Sequence, residues 1–371
     1  MLARRASILV ATALIAAVKM SCAAMLSFVV GCGAANATPR VMRPARVDPP
    51  PADYVMRVHA IDVGQGAATL VEFRCGAILV DSGGELDSEF DSNAALVSYL
   101  DAFFAVRPDL DRTLATFFVT HSHIDHDRGA AEVVARYHVH HVVTDGMETS
   151  SGGAEQAQLH AWARGHGVPL EQVSASTVGP EGRHDANIDA VSCEERDPDI
   201  RVLWGENQAE DAGIVNNDSL VVRIVVGEAS VLITGDLQED GIAAMLRHYA
   251  STPQLLDVDL YIAGHHGSHN ATTPALVAAM TPEASLIEMG PESFRQEYCA
   301  HAFGHPGCVV VDMLARATAR SRPAIDTQCG IDHEQFEPRH VDRAVYGTGW
   351  DGSLVATFAG DGSFAVTMAG R

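Results

Sequence analysis

Val119-Thr120-His121-Ser122-His123-Ile124-Asp125-His126 is the stretch on which the reading of this chain turns. Residues 116–120 are apolar or β-branched and predict a strand. Three histidines and an aspartate follow at once, and a helix is predicted to start near Gly129-Ala130-Ala131-Glu132. Where a strand ends the backbone turns sharply, so side chains two, four and five positions apart can point into one space. Imidazole nitrogen and carboxylate oxygen are the donors that suit zinc and similar divalent ions. A lone H-x-H is more often a surface turn. H-x-H-x-D-H directly after an apolar strand reads as a metal centre built on His121, His123, Asp125 and His126.

Working outward, further landmarks recur at predicted strand ends. They are Ile61-Asp62-Val63-Gly64-Gln65-Gly66, Leu79-Val80-Asp81-Ser82-Gly83-Gly84, Asn216-Asn217-Asp218-Ser219-Leu220, Thr234-Gly235-Asp236, His265-His266-Gly267-Ser268 and Gly304-His305-Pro306. In this order, and with H-x-H-x-D-H, they resemble the metallo-β-lactamase superfamily of hydrolases. Within it they resemble the hydrolase domain of ComEC-type DNA-uptake proteins and its free-standing relatives. The match runs from about residue 56 to 368.

The alternating apolar segments and intervening helices give an α+β chain of stacked layers. The resemblance implies the particular layering, an αββα sandwich of two mixed sheets covered by helices, with metals at one edge. It also implies roles. His121, His123 and a bridging Asp236 would hold one divalent ion; Asp125, His126, Asp236 and His265 would hold the other, with His266 the alternative to His265 because adjacent side chains at a strand end diverge. The ions are expected to be zinc, with manganese as the other choice. His266 would stabilise developing negative charge, His305 would help hold a substrate phosphate, and Asn217 would approach the same edge. Asp125, His266 and His305 are the expected catalytic groups. Most dinuclear members carry another histidine where this chain has Asn216, Asn217 and Asp218. Asp62 and Asp81 are expected to cap nearby backbone N–H groups. Related members often carry an acid after Gly-Gln-Gly; Ala67 stands there in this chain.

The N-terminal region reads differently. Arg4 and Arg5 precede an apolar run over 6–30, broken by Lys19, and Val29-Val30-Gly31-Cys32 closes it. A basic start, apolar middle and small-residue end describe a secretory signal. The closing residues resemble a bacterial lipoprotein box, which would make Cys32 the lipidated residue. A cleaved soluble form and a retained signal anchor are the other readings, since the run is long enough to span a bilayer. The expected organisation is a signal over 1–31, a Pro/Ala-rich tether over 32–53 and the hydrolase domain over 54–371. An exported protein of the cell envelope, periplasm or exterior follows, touching membrane only through a lipid anchor.

The chain has 25 basic and 48 acidic residues, and Lys19 is its only lysine. That balance argues against tight, sequence-independent nucleic-acid binding. Beyond Cys32 there are Cys75, Cys193, Cys299, Cys308 and Cys329, an odd number, so one is free or pairs elsewhere. Cys299 and Cys308 bracket the His305 loop and could close it, and Cys193 could pair with Cys329. No C-x-x-C spacing, Ser-His-Asp arrangement or phosphate loop stands out.

The expected activity is hydrolysis of a phosphodiester, in nucleic acid or an envelope component, by hydroxide formed on two divalent ions. A lactone, amide or other ester hydrolase on the same scaffold is the alternative, because fold does not fix substrate. A binding module with a degraded site is the third reading.

Overall fold

Turn residues cut the apolar runs short, so the strands are short and numerous. The computed structural model describes residues 45–84, 90–205 and 214–369. The signal over 1–31 and the lipidation expected at Cys32 lie outside the described residues. The strands are β1 Tyr54–Ala60, β2 Thr69–Phe73, β3 Ala77–Val80, β4 Thr113–Val119, β5 His138–Thr144, β6 Leu170–Gln172, β7 Asp199–Trp204 and β8 Val221–Val226. They continue as β9 Ala229–Ile233, β10 Leu260–Ala263, β11 Ala284–Ile287, β12 Ser321–Asp332, β13 Gln335–Arg343, β14 Val345–Gly347, β15 Leu354–Ala359 and β16 Phe364–Met368. The main helices are α1 Ser92–Val106, α2 Ile124–Asp127, α3 Ala130–Arg136, α4 Gly153–His166, α5 Glu239–His248, α6 Pro274–Met280, α7 Ala300–Phe303 and α8 Cys308–Ala317.

Among the described residues one sheet runs β16-β15-β1-β2-β3-β4-β5-β6 and a second runs β14-β11-β10-β9-β8-β7. Both are mixed. In the first, β3 to β6 are parallel and the rest antiparallel. In the second, β9, β10, β11 and β14 are parallel. Side chains alternate across a strand, so neighbours serve different layers. Phe118 joins Val58, Ile78, Val222, Val231 and Ile262 in the core between the sheets. Phe117, one residue away, packs outward with Leu96, Phe103, Val133 and Leu159 of α1, α3 and α4. On the far side Ile242, Met245, Leu276 and Leu314 of α5, α6 and α8 cover Leu232 and Tyr261. The αββα sandwich expected from the sequence is the fold.

Three features differ from the sequence reading. The stretch expected as a tether to residue 53 is docked from Ala45 onward. Val47 is buried beneath α1, Ala45 N donates to Ser98 Oγ (3.0 Å), and Arg57 Nη2 donates to Asp48 O (3.1 Å). The sequence predicts a short strand over 324–327; a long hairpin, β12–β13, stands there instead. The disulfides are Cys75–Cys193 and Cys308–Cys329, with Cys299 buried and free, so neither Cys299–Cys308 nor Cys193–Cys329 forms. The first ties the β2–β3 turn to the irregular segment before β7; the second ties the start of α8 to β12. Among the described residues no helix is long and apolar enough to cross a membrane.

A buried ionic network fixes α1 to β1 and β2. Glu72, fully buried, accepts from Arg107 Nη1 (2.6 Å), Arg57 Nη1 (2.9 Å) and the Tyr54 hydroxyl (3.2 Å), with His59 Nε2 also 3.2 Å away. Burial alone would raise this carboxyl. The His59 hydrogen bond and the two guanidiniums outweigh it and bring the carboxyl down to about 2. A depressed carboxyl stabilises the fold fully above its unfolded value and loses that contribution as pH falls toward the folded one. Glu72→Gln is therefore expected to cost about 3 kcal/mol at neutral pH. It should also flatten the acid loss of stability between about pH 4.5 and 2. Urea unfolding of both proteins across that range checks this.

Candidate metal centre

The site assembles where parallel strands of both sheets end. β3 ends at Asp81, which sits at φ 61°, a left-handed conformation that Asp tolerates better than most residues. From there its carboxylate accepts from Thr120 N (2.7 Å) and Thr120 Oγ1 (2.8 Å), and meets His126 Nδ1 at 2.7 Å. The threonine hydroxyl, its proton given to Asp81, accepts in turn from His121 Nδ1 (3.2 Å). That leaves Nε2 of His121 bare, 3.0 Å from His123 Nδ1.

The glycine-rich motifs have a steric purpose. A Cβ on Gly83 would lie 1.8 Å from the Asp125 carbonyl, and one on Gly66 would lie 2.6 Å from it. Both turns press against the backbone that carries Asp125, and Ala67 N donates to Asp125 O at 3.0 Å. Asp62 Oδ1 accepts from Gly64 N (3.3 Å), the capping role expected of it.

The second sheet supplies the opposing groups. Asp236 follows β9 and is almost fully buried; its N–H donates to Ser219 Oγ (3.0 Å). After β10, His265 (φ 51°), His266 (φ 54°) and Gly267 (φ 78°) all take left-handed conformations. This turn sends the two histidines different ways. His266 donates from Nδ1 to Glu288 O (2.8 Å) and points Nε2 at Asp125 Oδ2 (3.2 Å) and Asp236 Oδ2 (3.8 Å). His265 donates from Nδ1 to Asn270 Oδ1 (3.0 Å), and its Nε2 lies 3.6 Å from Asp236 Oδ2.

Asp125, His126, Asp236 and His266 each offer a donor atom, and all four atoms lie within 4.8 Å of one another. Of His265 and His266, the ring that converges on this cluster is His266; the left-handed turn aims the second histidine inward. Charge fits a cation. Burial would raise Asp236, but His126, His265 and His266 hold it well below the ordinary carboxylate range. Asp125 is likewise lowered against its burial by His266 and His126. Burial would lower His126 and His266, yet Asp236 and its neighbouring carboxylates hold both above the usual histidine value. The buried Nε2 of His126 has no hydrogen-bond partner, although Asp236 Oδ1 is 3.1 Å away. A divalent ion would satisfy these donors and supply the positive charge that protons otherwise provide.

His121 and His123 lie beside this cluster, with the His121 and His126 ring centroids 4.2 Å apart. Burial lowers both, His121 strongly and with help from His126, so each presents the neutral ring that binds metal. His305 is held through Gln65, whose Oε1 accepts from Gly290 N (3.2 Å) and whose Nε2 donates to His305 Nδ1 (3.1 Å). Its proton therefore sits on Nε2. Burial, then the nearby His266 and His265 rings, keep it neutral, well below the usual value. Asn217 is not in the cleft. Its Oδ1 accepts from Gln238 N (3.1 Å) at the start of α5. Asn216 lines the cleft instead, with a buried Oδ1 that has no hydrogen-bond partner. Gln65 and Asn216 lie in motifs the sequence displays. Glu288, whose carbonyl fixes His266, gives no such signal.

These groups open into a cleft of about 570 Å³. The fold and its strand-end donors define a metallohydrolase scaffold, and residues 61–288 match the family model described as the metallo-beta-lactamase superfamily. The chain belongs to that superfamily of hydrolases. It is similar to ComE operon protein 3 of Bacillus subtilis (strain 168), 25% identical over 276 residues, covering 71% of this chain and 31% of that protein. It is also similar to competence protein ComA of Neisseria gonorrhoeae, 31% identical over 91 residues, 24% of this chain and 12% of that one. The chain thus spans about a third or less of the length of these relatives. Among solved structures, the metallo-beta-lactamase fold protein YhfI of Bacillus subtilis aligns with TM-score 0.33 and 13% identity, over 56% of this chain and 70% of that one.

Asp81 orients His126 without facing the cleft. Asp81→Asn is expected to weaken metal binding by about 10- to 100-fold. Titration with zinc against a competing chelator reads the change, with circular dichroism confirming the fold. Because His126 and His266 are raised, protons compete for their nitrogens, and affinity in the parent protein should fall steadily from pH 8 to 6.

Proposed function

We propose that this chain hydrolyses phosphodiester bonds with two divalent ions, zinc or manganese. The observation that carries the reading is the convergence of Asp125, His126, Asp236 and His266 beside His121 and His123 at one open cleft. Asp125, His126, Asp236 and His266 would hold one ion. His121, His123 and Asp236 would hold the other, with the unpartnered Oδ1 of Asn216 in place of the histidine that most dinuclear relatives carry. Such a pair, when bound, makes water a nucleophile near neutral pH and polarises a phosphoryl oxygen.

The protein's own groups do the rest. Neutral His305 donates from Nε2 to negative charge that develops on phosphate oxygens, and Gln65 fixes its tautomer. His265, partly exposed at the cleft, is the ring that meets a departing oxygen. Asp81 and the Glu288 carbonyl hold His126 and His266 in their orientations. The resemblance to DNA-uptake hydrolase domains and the partial similarity to a protein named for competence support a phosphodiester over a lactone. Export is part of the proposal. The Arg4-Arg5 start, the apolar run and Cys32 support a lipid-anchored envelope protein, and the two disulfides agree with an oxidising compartment.

The mature protein is expected to carry about two ions per chain and to turn over bis(p-nitrophenyl) phosphate faster than a simple lactone. His123→Ala should remove one ion and lower turnover by about 100-fold or more. Full activity with no metal, or lactone as the better substrate, would sink the proposal. Asn216→Ala should weaken one ion by about 10-fold or more and leave the other unchanged, as read by metal titration. Two unaltered affinities would remove Asn216 from the ligand set.

A further inference from the structure

One wall of the cleft is aromatic and lies outside the metal cluster. Tyr298 is 69% exposed, the most exposed large apolar side chain among the described residues, and it lines the same cleft as Asp125 and Asp236. An exposed tyrosine on a loose loop would carry no meaning, but this one is anchored from beneath. The next residue, Cys299, is fully buried and its thiol donates to Phe294 O (3.4 Å) and Gln296 O (3.1 Å). Cys299 packs with Phe90 and Phe294 in a small apolar cluster of its own, the two phenyl rings 5.9 Å apart. Burying those groups holds the loop down and leaves the tyrosine ring facing solvent at the cleft.

From Tyr298 a ladder of rings leads to the cluster. Tyr298 and Phe303 are 6.4 Å apart, Phe303 stacks on His305 at 5.6 Å and 29°, and His305 is 6.2 Å from His266. Phe303 and Tyr298 line the same cleft as Asp125, Asp236 and His265. Polar side chains flank the platform, because Gln296 and Glu297 line the cleft beside it. Charge limits the size of the substrate. Arg128 is the one arginine lining the cleft among the described residues, and its Nε is committed to Gly84 O (2.8 Å). That is too little positive charge to track a long phosphate backbone. The volume suits a small ligand rather than a duplex.

We infer that Tyr298 and Phe303 form a stacking platform for a nucleobase, so that the cleft takes a dinucleotide or the end of a single strand rather than a ring-free diester. Stacking on an aromatic side chain tolerates every base, because each has a π face. The inference rests on the phosphodiester reading for its chemistry, but its test needs no turnover.

The experiment is calorimetric binding to the metal-loaded mature protein. One probe is a dithymidine phosphorothioate, which resists hydrolysis; the other is bis-glycerol phosphate, which has no ring. The parent protein should prefer the dinucleotide by roughly 10- to 100-fold. The preference should collapse in Tyr298→Ala and persist in Tyr298→Phe, which keeps the ring. A preference near one in the parent protein, or one unchanged in Tyr298→Ala, overturns the platform. Selective binding without hydrolysis of any diester would instead remove the proposed reaction and leave the platform standing. Hydrolysis of both kinds of diester with no binding preference would do the reverse.

Discussion

His126 is clamped between carboxylates that belong to different sheets. Asp81 of the first sheet meets Nδ1 at 2.7 Å, and Asp236 of the second meets Nε2 at 3.1 Å. All three are buried. Burying two carboxylates so close together is costly unless positive charge lies between them. The rest of the arrangement follows from meeting that demand. β3 and β4 must be parallel neighbours so that Asp81 reaches both Thr120 and His126. β9 and β10 must be parallel neighbours so that Asp236 and His266 arrive at the same edge. The turns at Gly66 and Gly83 must be glycine so that the backbone of Asp125 can approach.

Floor and wall of the cleft have different origins. Strand ends supply the floor, where position is fixed by two sheets. The wall with Tyr298, Phe303 and His305 comes from the segment after β11, to which neither of the two large sheets contributes a strand. Local devices hold it: the Phe90–Phe294–Cys299 cluster, the Cys308–Cys329 bridge, and Gly307 N donating to Gly267 O at 2.9 Å. The last of these ties the His305 loop to the turn that carries His265 and His266. The aromatic wall and the histidine turn are thereby coupled through one short stretch of backbone.

Much of this was legible in the sequence, because it depends on period and order. Alternating apolar runs reveal stacked layers, the family resemblance adds that these are two mixed sheets, and His121, His123, Asp125, His126 and Asp236 stand at predicted strand ends. The remainder depends on backbone conformation that no pattern records. Three consecutive left-handed residues decide that His266 rather than His265 points inward. A 3₁₀ turn over Val215–Asp218 decides that Asn216 faces the cleft while Asn217 holds Gln238 N. The β12–β13 hairpin is largely exposed and polar, so it lacks the apolar alternation that marks other strands. Cysteine pairing depends on chain paths 118 and 21 residues long, which spacing alone cannot rank.

The donors at the sheet edge are scattered along the chain, from His121 to His266, with more than a hundred residues between His126 and Asp236. No single segment owns the site. An ion held there would act as a crosslink between the two halves of the sandwich, present only once both are complete. At a thousandfold excess over its dissociation constant it would add about 4 kcal/mol to the native state alone. The two sheets would then open together rather than in turn. Metal capture would come only after strands of both sheets had brought their ends to this one edge.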